Sequence, residues 1–430
     1  MSWPVIIFIL TFLFLLLGGM PIAWAMIAAT VIWMITSDEL VFLLIMPDKI
    51  FQGIDVFILM AVPLFILVGE LLNAGRITDR LVELANQFFG WISGGLAQIN
   101  IGSSILFSGI TGVALGDIAA LGRVFIPAMV KEGYTAEYAA AVTASSSVIG
   151  PMVPPSLIII IYGAATGVSI GGLFAACVLP GLFVGLFQML LVWRQAKARG
   201  FKAAKVERSK NTLLNSATHS IIPLMVPVII LAGIVGGVMT PTEAGAVAAL
   251  YALIITLGYY RTLKTSDLYG IFERSLCFSG KLLIIVGCGA VFSLVMAIEN
   301  VPSLLQTAIQ NAEMSAFSTL LIANLILLLV GMFIDPAAAI ILFAPILSKV
   351  AESVGVDPVH FGVIMILNLN LGLLTPPLGI CLFAAEEIAG CGLPALIRET
   401  MPFLLISVFV LIIITYVPQI SLWLPALLGF

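Results

Sequence analysis

The chain has 430 residues, 61% of them hydrophobic and 9% charged, with a net charge of −4 and a mean hydropathy of +1.21. A soluble domain carries about 25% charged residues, so this composition excludes a water-soluble body and points to lipid as the solvent. The longest hydrophilic segment runs only from Arg194 to about Thr218, which leaves no room for an ATPase or nucleic-acid-binding domain.

A spanning helix needs about 20 apolar residues. In chain order the apolar runs predict ten spans, near 4–17, 21–36, 56–73, 137–167, 172–193, 219–238, 243–259, 279–299, 359–389 and 400–418. The first follows Met-Ser-Trp-Pro, which lacks the basic region of a secretory signal, and is expected to be retained. Gly18-Gly19-Met20-Pro21 separates it from the second. Two apolar stretches are left over, about 91–130 and 316–348, each with an Asp in its middle beside glycines. They are expected to be re-entrant helical hairpins. The five cysteines (Cys177, Cys277, Cys288, Cys381, Cys391) lie in or near apolar runs and form no C-x-x-C pair. They are read as small core residues rather than a disulfide frame or metal site.

Charge orients this arrangement. With the N-terminus outside and the hairpins not crossing, 15 of the 18 basic residues face the cytoplasm. They are Arg76, Arg80, Lys131, Arg194, Lys197, Arg199, Lys202, Lys205, Arg208, Lys210, Arg261, Lys264, Arg274, Lys281 and Arg398. Only Lys49 and Lys349 face outward, and Arg123 falls inside the first hairpin. The positive-inside rule asks for this bias. Both termini are then periplasmic, and 194–218 is a basic cytoplasmic linker between residues 1–193 and 219–430.

The two parts repeat one another. Asp117–Pro127 lines up with Asp335–Pro345 at an offset of 218. Gly150-Pro-Met-Val-Pro-Pro155 lines up with Gly372-Leu-Leu-Thr-Pro-Pro377 at 222, which implies a four-residue insertion near Ser353–Asp357. Each part is expected to hold five spans, a hairpin, and one helix broken at Gly…Pro-Pro. An odd number of crossings makes the repeats inverted, an arrangement typical of secondary transporters. Proline lacks an N–H, so the helices open at Pro154-Pro155 and Pro376-Pro377. Carbonyls freed at membrane depth are tolerable only when buried in protein or lining a polar cavity. There they can hold a cation.

Several residues near the hairpin tips and breaks carry oxygens suited to a hard cation such as Na⁺. The expected ion-binding set is Ser108, Thr111, Asp117, Ser147, Gly150, Gly331, Asp335, Asn370, Gly372 and Thr375. An Asp at membrane depth costs about 2.5–3.5 kcal/mol on insertion scales, which makes Asp117 and Asp335 the sharpest members. Helix capping competes with that role, since Asp335-Pro336 reads as an N-cap followed by Pro at the first helical position. Arg123, Ser145 and Asn368 are assigned to substrate, Arg123 because guanidinium binds carboxylate bidentately. Ordinary packing by small polar residues, and snorkelling of Arg123, are the structural alternatives. Thr240-Pro-Thr-Glu243 reads as a capping box that starts a span. Gly167-Val-Ser-Ile-Gly171 matches the hydrolase elbow pattern only by chance, because it lies in an outer loop.

These motifs resemble a known family. Gly150-Pro-Met-Val-Pro-Pro-Ser156, Gly331-Met-Phe-Ile-Asp-Pro336, Asp357-Pro-Val-His-Phe-Gly362, Gly372-Leu-Leu-Thr-Pro-Pro377, Thr240-Pro-Thr-Glu-Ala-Gly245 and Ala61-Val-Pro-Leu-Phe65 resemble the large membrane subunit of TRAP (tripartite ATP-independent periplasmic) transporters. Ser108–Gly116 departs from the more Ser-rich first tip associated with that family. The resemblance implies an all-α, elevator-type transporter of the bacterial inner membrane and Na⁺-coupled uptake of an organic acid such as a C4-dicarboxylate or sialic acid. It implies two partners, a periplasmic substrate-binding protein and a small four-helix membrane subunit. The rivals are a dicarboxylate transporter of the same superfamily that needs no binding protein, and, from another class, an intramembrane aspartyl protease using the two Asp residues as a dyad.

Overall fold

The computed structural model describes residues 3–201 and 210–430, without the side chains of residues 78, 79, 110, 111 and 210–220. Every regular element among them is helical. The first half runs α1 (Trp3–Leu17), α2 (Ile22–Thr36), α3 (Phe42–Ile54), α4 (Ala61–Ala74), α5 (Ile77–Phe89), α6 (Gly95–Thr111), α7 (Ala114–Asp117), α8 (Arg123–Lys131), α9 (Ala136–Ser147), α10 (Leu157–Thr166) and α11 (Ile170–Arg199). The second runs α12 (Lys210–Val235), α13 (Pro241–Leu253), α14 (Thr265–Ile298), α15 (Val301–Asn311), α16 (Ala316–Phe333), α17 (Pro336–Ser353), α18 (Pro358–Gly372), α19 (Ile380–Ala389), α20 (Leu393–Tyr416) and α21 (Gln419–Leu428).

Local chemistry sets many of these limits. Asp357 caps α18 by accepting from the N–H groups of Val359 (2.8 Å) and His360 (3.2 Å), with Pro358 at the first position. The expected capping box at Thr240 and Glu243 opens α13. Ser169 caps α11 by accepting from Gly172 N, so the elbow-like motif is a helix start. Gly167, Gly200 and Gly390 end α10, α11 and α19 at positive φ, which glycine adopts without steric cost.

Seven of the described helices are long and apolar enough to cross a membrane by themselves, and the arms α16 and α17 are among them. At 18 residues each arm is about 27 Å long, longer than a half-helix. The turn between them nevertheless stops beside the α18–α19 break rather than at a far surface. Large apolar side chains cover the outside, including Phe14, Leu44 and Leu276 at 77%, 83% and 64% exposure. A water-soluble monomer would not leave so many uncovered; lipid would cover them. The multi-pass expectation therefore holds. Four helices escaped the hydropathy reading: α3, α5, α15 and α21. Each is short, and α5 and α15 carry their polar residues on one face. The basic linker is also shorter than 194–218, because α11 continues to Arg199 and α12 begins at Lys210.

Two bodies of helices can be distinguished by their cores. α1 and α2 pack on α14 through Phe8, Phe12, Met26, Trp33, Phe292 and Val295; α3 and α4 also pack on α14 and α13 on α4, while the buried side chains of α4 and α13 join the central core. The hairpins and broken helices form a central bundle. α9 and α18 run through its middle and are buried from end to end. The small residues of α9 (Ala-Ala-Ala-Val-Thr-Ala-Ser-Ser-Ser) let its neighbours approach closely.

The structure corrects the repeat register. The second hairpin arms cover 114–131 and 336–353, and the next helices start at 136 and 358. The interval is 222 at every one of these points, so no insertion lies near Ser353–Asp357. Asp335 therefore corresponds to Val113, which also stands at the N-cap of a second arm. Asp117 corresponds to Ala339, one turn inside the arm, where the first half widens into a π-turn over Ile118–Gly122. By helix limits, then, the two turns share a register that the two carboxylates do not.

Contacts show which segments share an end. Phe430 lies against Gly171, so the C-terminus shares one end with the α10–α11 loop and the end of α12. Arg199 and Glu399 pair at 2.8 Å at the other end. The positive-inside rule predicts that this basic end is cytoplasmic. With Cys277 replaced by Ser, an impermeant thiol reagent added outside should label a Gln419→Cys variant and spare Lys197→Cys; the reverse pattern would invert the topology. Lys202 lies outside the described residues.

Candidate functional site

Each hairpin tip rests on the helix break of its own half. In the first half Gly112 turns at φ +58° and sits over the backbone of Pro155, Ser156 and Leu157. In the second half Gly331 and Gly372 meet backbone to backbone, and a side chain on Gly372 would overlap the Gly331 main chain. Both breaks contain a cis Pro-Pro bond, at Pro154-Pro155 and Pro376-Pro377. In both halves, then, the tip and the break are in backbone contact.

The individual residues divide into three groups. Asp335 is the N-cap of α17 and accepts from Ala337 N at 2.9 Å. It lies deep in the protein yet is exposed, because two cavities open on it. Asp117 is buried, with Oδ2 against the Gly150 α-carbon. Ser147 Oγ donates to Ala144 O at 2.7 Å and lies 3.9 Å from Cys381 Sγ, so the first break touches the start of α19. Asp117 and Gly150, and Ser147 and Cys381, therefore meet at the first break.

A second group is present but partly satisfied. Asn370 Nδ2 donates to Ile366 O at 2.8 Å, while its Oδ1 is buried without a hydrogen-bond partner. Thr375 and Ser108 spend their hydroxyl protons on Leu371 O (2.9 Å) and Ile105 O (2.7 Å), which leaves oxygen lone pairs free to accept. Asn368 binds Asn324 on α16 through Nδ2, at 2.9 Å to O and 2.6 Å to Oδ1. Ser145 offers its carbonyl to Gln188 (2.9 Å) and keeps its buried Oγ without a partner. The side chain of Thr111 lies outside the described residues.

Arg123 is not brought in. It is exposed at the start of α8, and it does not line the cavity that the tips share. Its snorkelling alternative fits this position.

That shared cavity has a volume of about 460 Å³. Val113, Leu115 and Gly116 of the first tip and Asp335 of the second form one wall. Glu70 and Asn73 of α4 and Arg274, Cys277 and Lys281 of α14 form the other. Arg274 pairs with Glu70 at 2.9 Å. Lys281 makes no ion pair among the described residues, so the α4–α14 wall carries one net positive charge, with the Asp335 carboxylate on the opposite wall. The volume falls in the range of small-molecule sites, and the charge suits an anion.

Comparison with known proteins now decides the family. The family profile of the tripartite ATP-independent periplasmic transporter, DctM component, matches residues 9–420. The chain belongs to this family. It is a transporter permease and not an enzyme, which removes the protease reading. Among its relatives, the C4-dicarboxylate TRAP transporter large permease protein of Pseudomonas aeruginosa is 36% identical, covering 91% of this chain and 93% of that one. The sialic acid TRAP transporter large permease protein of Vibrio cholerae is also 36% identical, over 97% of both. The isethionate TRAP transporter permease protein DctMQ of Oleidesulfovibrio alaskensis is 38% identical over 87% of this chain, which spans only 59% of that longer protein. In fold, the permease resembles the YdaH transporter of Alcanivorax borkumensis, with a TM-score of 0.62 and 14% identity over 91% of this chain and 89% of that one.

Sequence reasoning missed the cationic wall of the permease. Arg274 and Lys281 served there only to orient the chain. The available signal was a lysine within the apolar run of α14, which is costly in lipid and typical of a function.

The two carboxylates can be separated by substitution. Asp335→Ala removes a cap worth about 1 kcal/mol along with the charge, whereas Asp335→Asn keeps a capping oxygen. Uptake by the Asn variant should exceed that of the Ala variant, with membrane insertion intact in both. Asp117 sits inside its arm, so Asn has no cap to preserve there. Equal uptake by Asp335→Ala and wild type would remove Asp335 from the site.

Proposed function

We propose that this permease carries an organic acid anion across the bacterial inner membrane in symport with Na⁺. It acts as the large subunit of a three-part importer, with a periplasmic substrate-binding protein and a small four-helix membrane subunit. The observation that carries this reading is the single cavity onto which both hairpin tips open, faced by Lys281 and Arg274. Relatives whose names specify C4-dicarboxylate, sialic acid and isethionate share one chemistry, a small organic anion. The fused form of the isethionate relative supports a second membrane component.

Na⁺ would bind between each tip and its break, among Ser108, Thr111, Asp117, Ser147 and Gly150 in the first half. Gly331, Asp335, Asn370, Gly372 and Thr375 would form the second site. Oxygen donors dominate both sets, as hard cations require. Ser145 and Asn368 line the bundle behind them, and Lys281 replaces Arg123 as the proposed partner of the substrate carboxylate. The halves are inverted repeats, since each holds five crossings and one hairpin.

The motion is an elevator: the hairpins and broken helices slide as a body against α1–α4, α13 and α14. An apolar seam supports this. Gly53 and Leu59 from one side and Ile161, Ala164 and Ile341 from the other border a second cavity of about 270 Å³, where no charged side chain would resist sliding. Lys281→Ala should raise the substrate concentration for half-maximal uptake by about tenfold, the scale of one charge-assisted contact. Unchanged half-saturation would take the substrate away from this wall.

A further inference from the structure

Asp335 opens on two cavities, and their walls differ in charge. The one described above, between α4 and α14, carries Arg274, Glu70 and Lys281. The second, of about 410 Å³, lies on the other side of the tip. It is lined by Phe333 and Ile334 of the tip, by Leu378 of the break, and by Leu16, Gly19 and Met20 at the α1–α2 turn. Asp335 is its only charged side chain.

From this difference we infer that cation and anion leave the second tip by separate routes. The coupling cation passes the α1–α2 turn, and the organic anion passes the α4–α14 wall. The inference rests on the proposed symport and adds the path to it.

Three observations support the separation. A net positive wall repels a cation and attracts an anion, and low-dielectric walls strengthen both effects. The α1–α2 route offers oxygens instead: Gly19 and Met20 line this cavity, and among the described residues their carbonyls accept no backbone hydrogen bond. Carbonyl oxygens are the ligands a hard cation takes in exchange for water. The turn is also shallow. α1 and α2 have 15 residues each, about 22 Å of helix, against a hydrocarbon core of about 30 Å. Two short crossings put less protein between this turn and the aqueous phase than full-length spans would, and the turn shares a cavity with the tip. The same geometry explains why a glycine pair stands there, with Gly19 at φ +84°.

The test uses charge at each wall, with a thiol reading in parallel. In proteoliposomes, Met20→Lys should raise the Na⁺ concentration for half-maximal uptake by about tenfold, the effect of one charge at close range in a protein interior. The substrate half-saturation should stay within about twofold. Lys281→Gln should do the converse. Separately, Cys277 in the otherwise native chain should react faster with an anionic methanethiosulfonate than with a cationic one. A Met20→Cys variant carrying Cys277→Ser should show the opposite preference.

If Met20→Lys shifts substrate half-saturation and not that of Na⁺, or if both thiols prefer the anionic reagent, the separate routes are wrong. Wild-type uptake indifferent to Na⁺ would instead bring down the symport itself, and the separate routes with it. A Met20→Leu variant, close in size and uncharged, should behave as wild type; a tenfold shift there would assign the effect to packing and overturn the route.

Discussion

Replacing Gly372 by alanine should abolish uptake while the protein still inserts in the membrane. A methyl group at this position would overlap the Cα, carbonyl carbon and oxygen of Gly331. Backbone cannot rotate aside as a side chain can, so the second hairpin tip must move off the break. Overpacking of this kind costs about 1–3 kcal/mol, which a large apolar bundle tolerates. The site does not tolerate it, because Asp335 follows Gly331 by one turn and Thr375 follows Gly372 by three residues. Separating the two backbones by even about 1 Å parts the ligands that a cation must bridge.

The neighbouring glycines should rank below it. A methyl on Gly331 would meet Leu369 O at 3.0 Å and Gly372 Cα at 3.3 Å, tight but not overlapping. On Gly150 it would press on the Asp117 carboxylate, which ends a side chain and can shift. Gly258 has nothing within 4 Å and serves as the control. Uptake should therefore fall in the order Gly258→Ala, Gly150→Ala, Gly331→Ala, Gly372→Ala, with surface expression measured alongside. Wild-type uptake by Gly372→Ala would show that tip and break need not touch.

Much of this architecture was legible because its causes are local. Pro154-Pro155 and Pro376-Pro377 break their helices for want of N–H groups wherever they lie in a fold. Asp335-Pro336, Thr240 and Asp357 cap helices through atoms two or three residues away. Other features depend on distant partners and were not legible. Asp117 looked like the twin of Asp335 because both precede Ala-Ala, yet the turn position that defines the register belongs to Val113. Arg274 and Lys281 looked like inner-surface charges until α4 and α14 were packed against the two tips. Arg123 shows the reverse: an arginine inside a hairpin can lie on its outer face, away from the cavity the tips share. Hydropathy also passed over α5 and α15, where the charges of α5 and the Ser, Gln, Thr and Asn residues of α15 dilute the apolar signal although one face of each remains apolar.

The central claim is that the tip–break contacts are cation sites that couple an ion gradient to uptake. Its energetics are bounded. Each net positive charge that enters gains about 2.3 kcal/mol per 100 mV of membrane potential, roughly 40-fold in accumulation. With one ion at each of the two tips, a monoanion would carry in net charge and respond to potential, while a dianion would not. The measurement is uptake of labelled organic acid into proteoliposomes holding the permease, its small membrane subunit and the loaded binding protein, with no nucleotide present. An inward Na⁺ gradient should suffice to drive accumulation, and dissipating it should stop accumulation. Uptake that continues undiminished after complete replacement of Na⁺ by K⁺, with no proton gradient, would contradict the assignment of the broken helices as coupling sites.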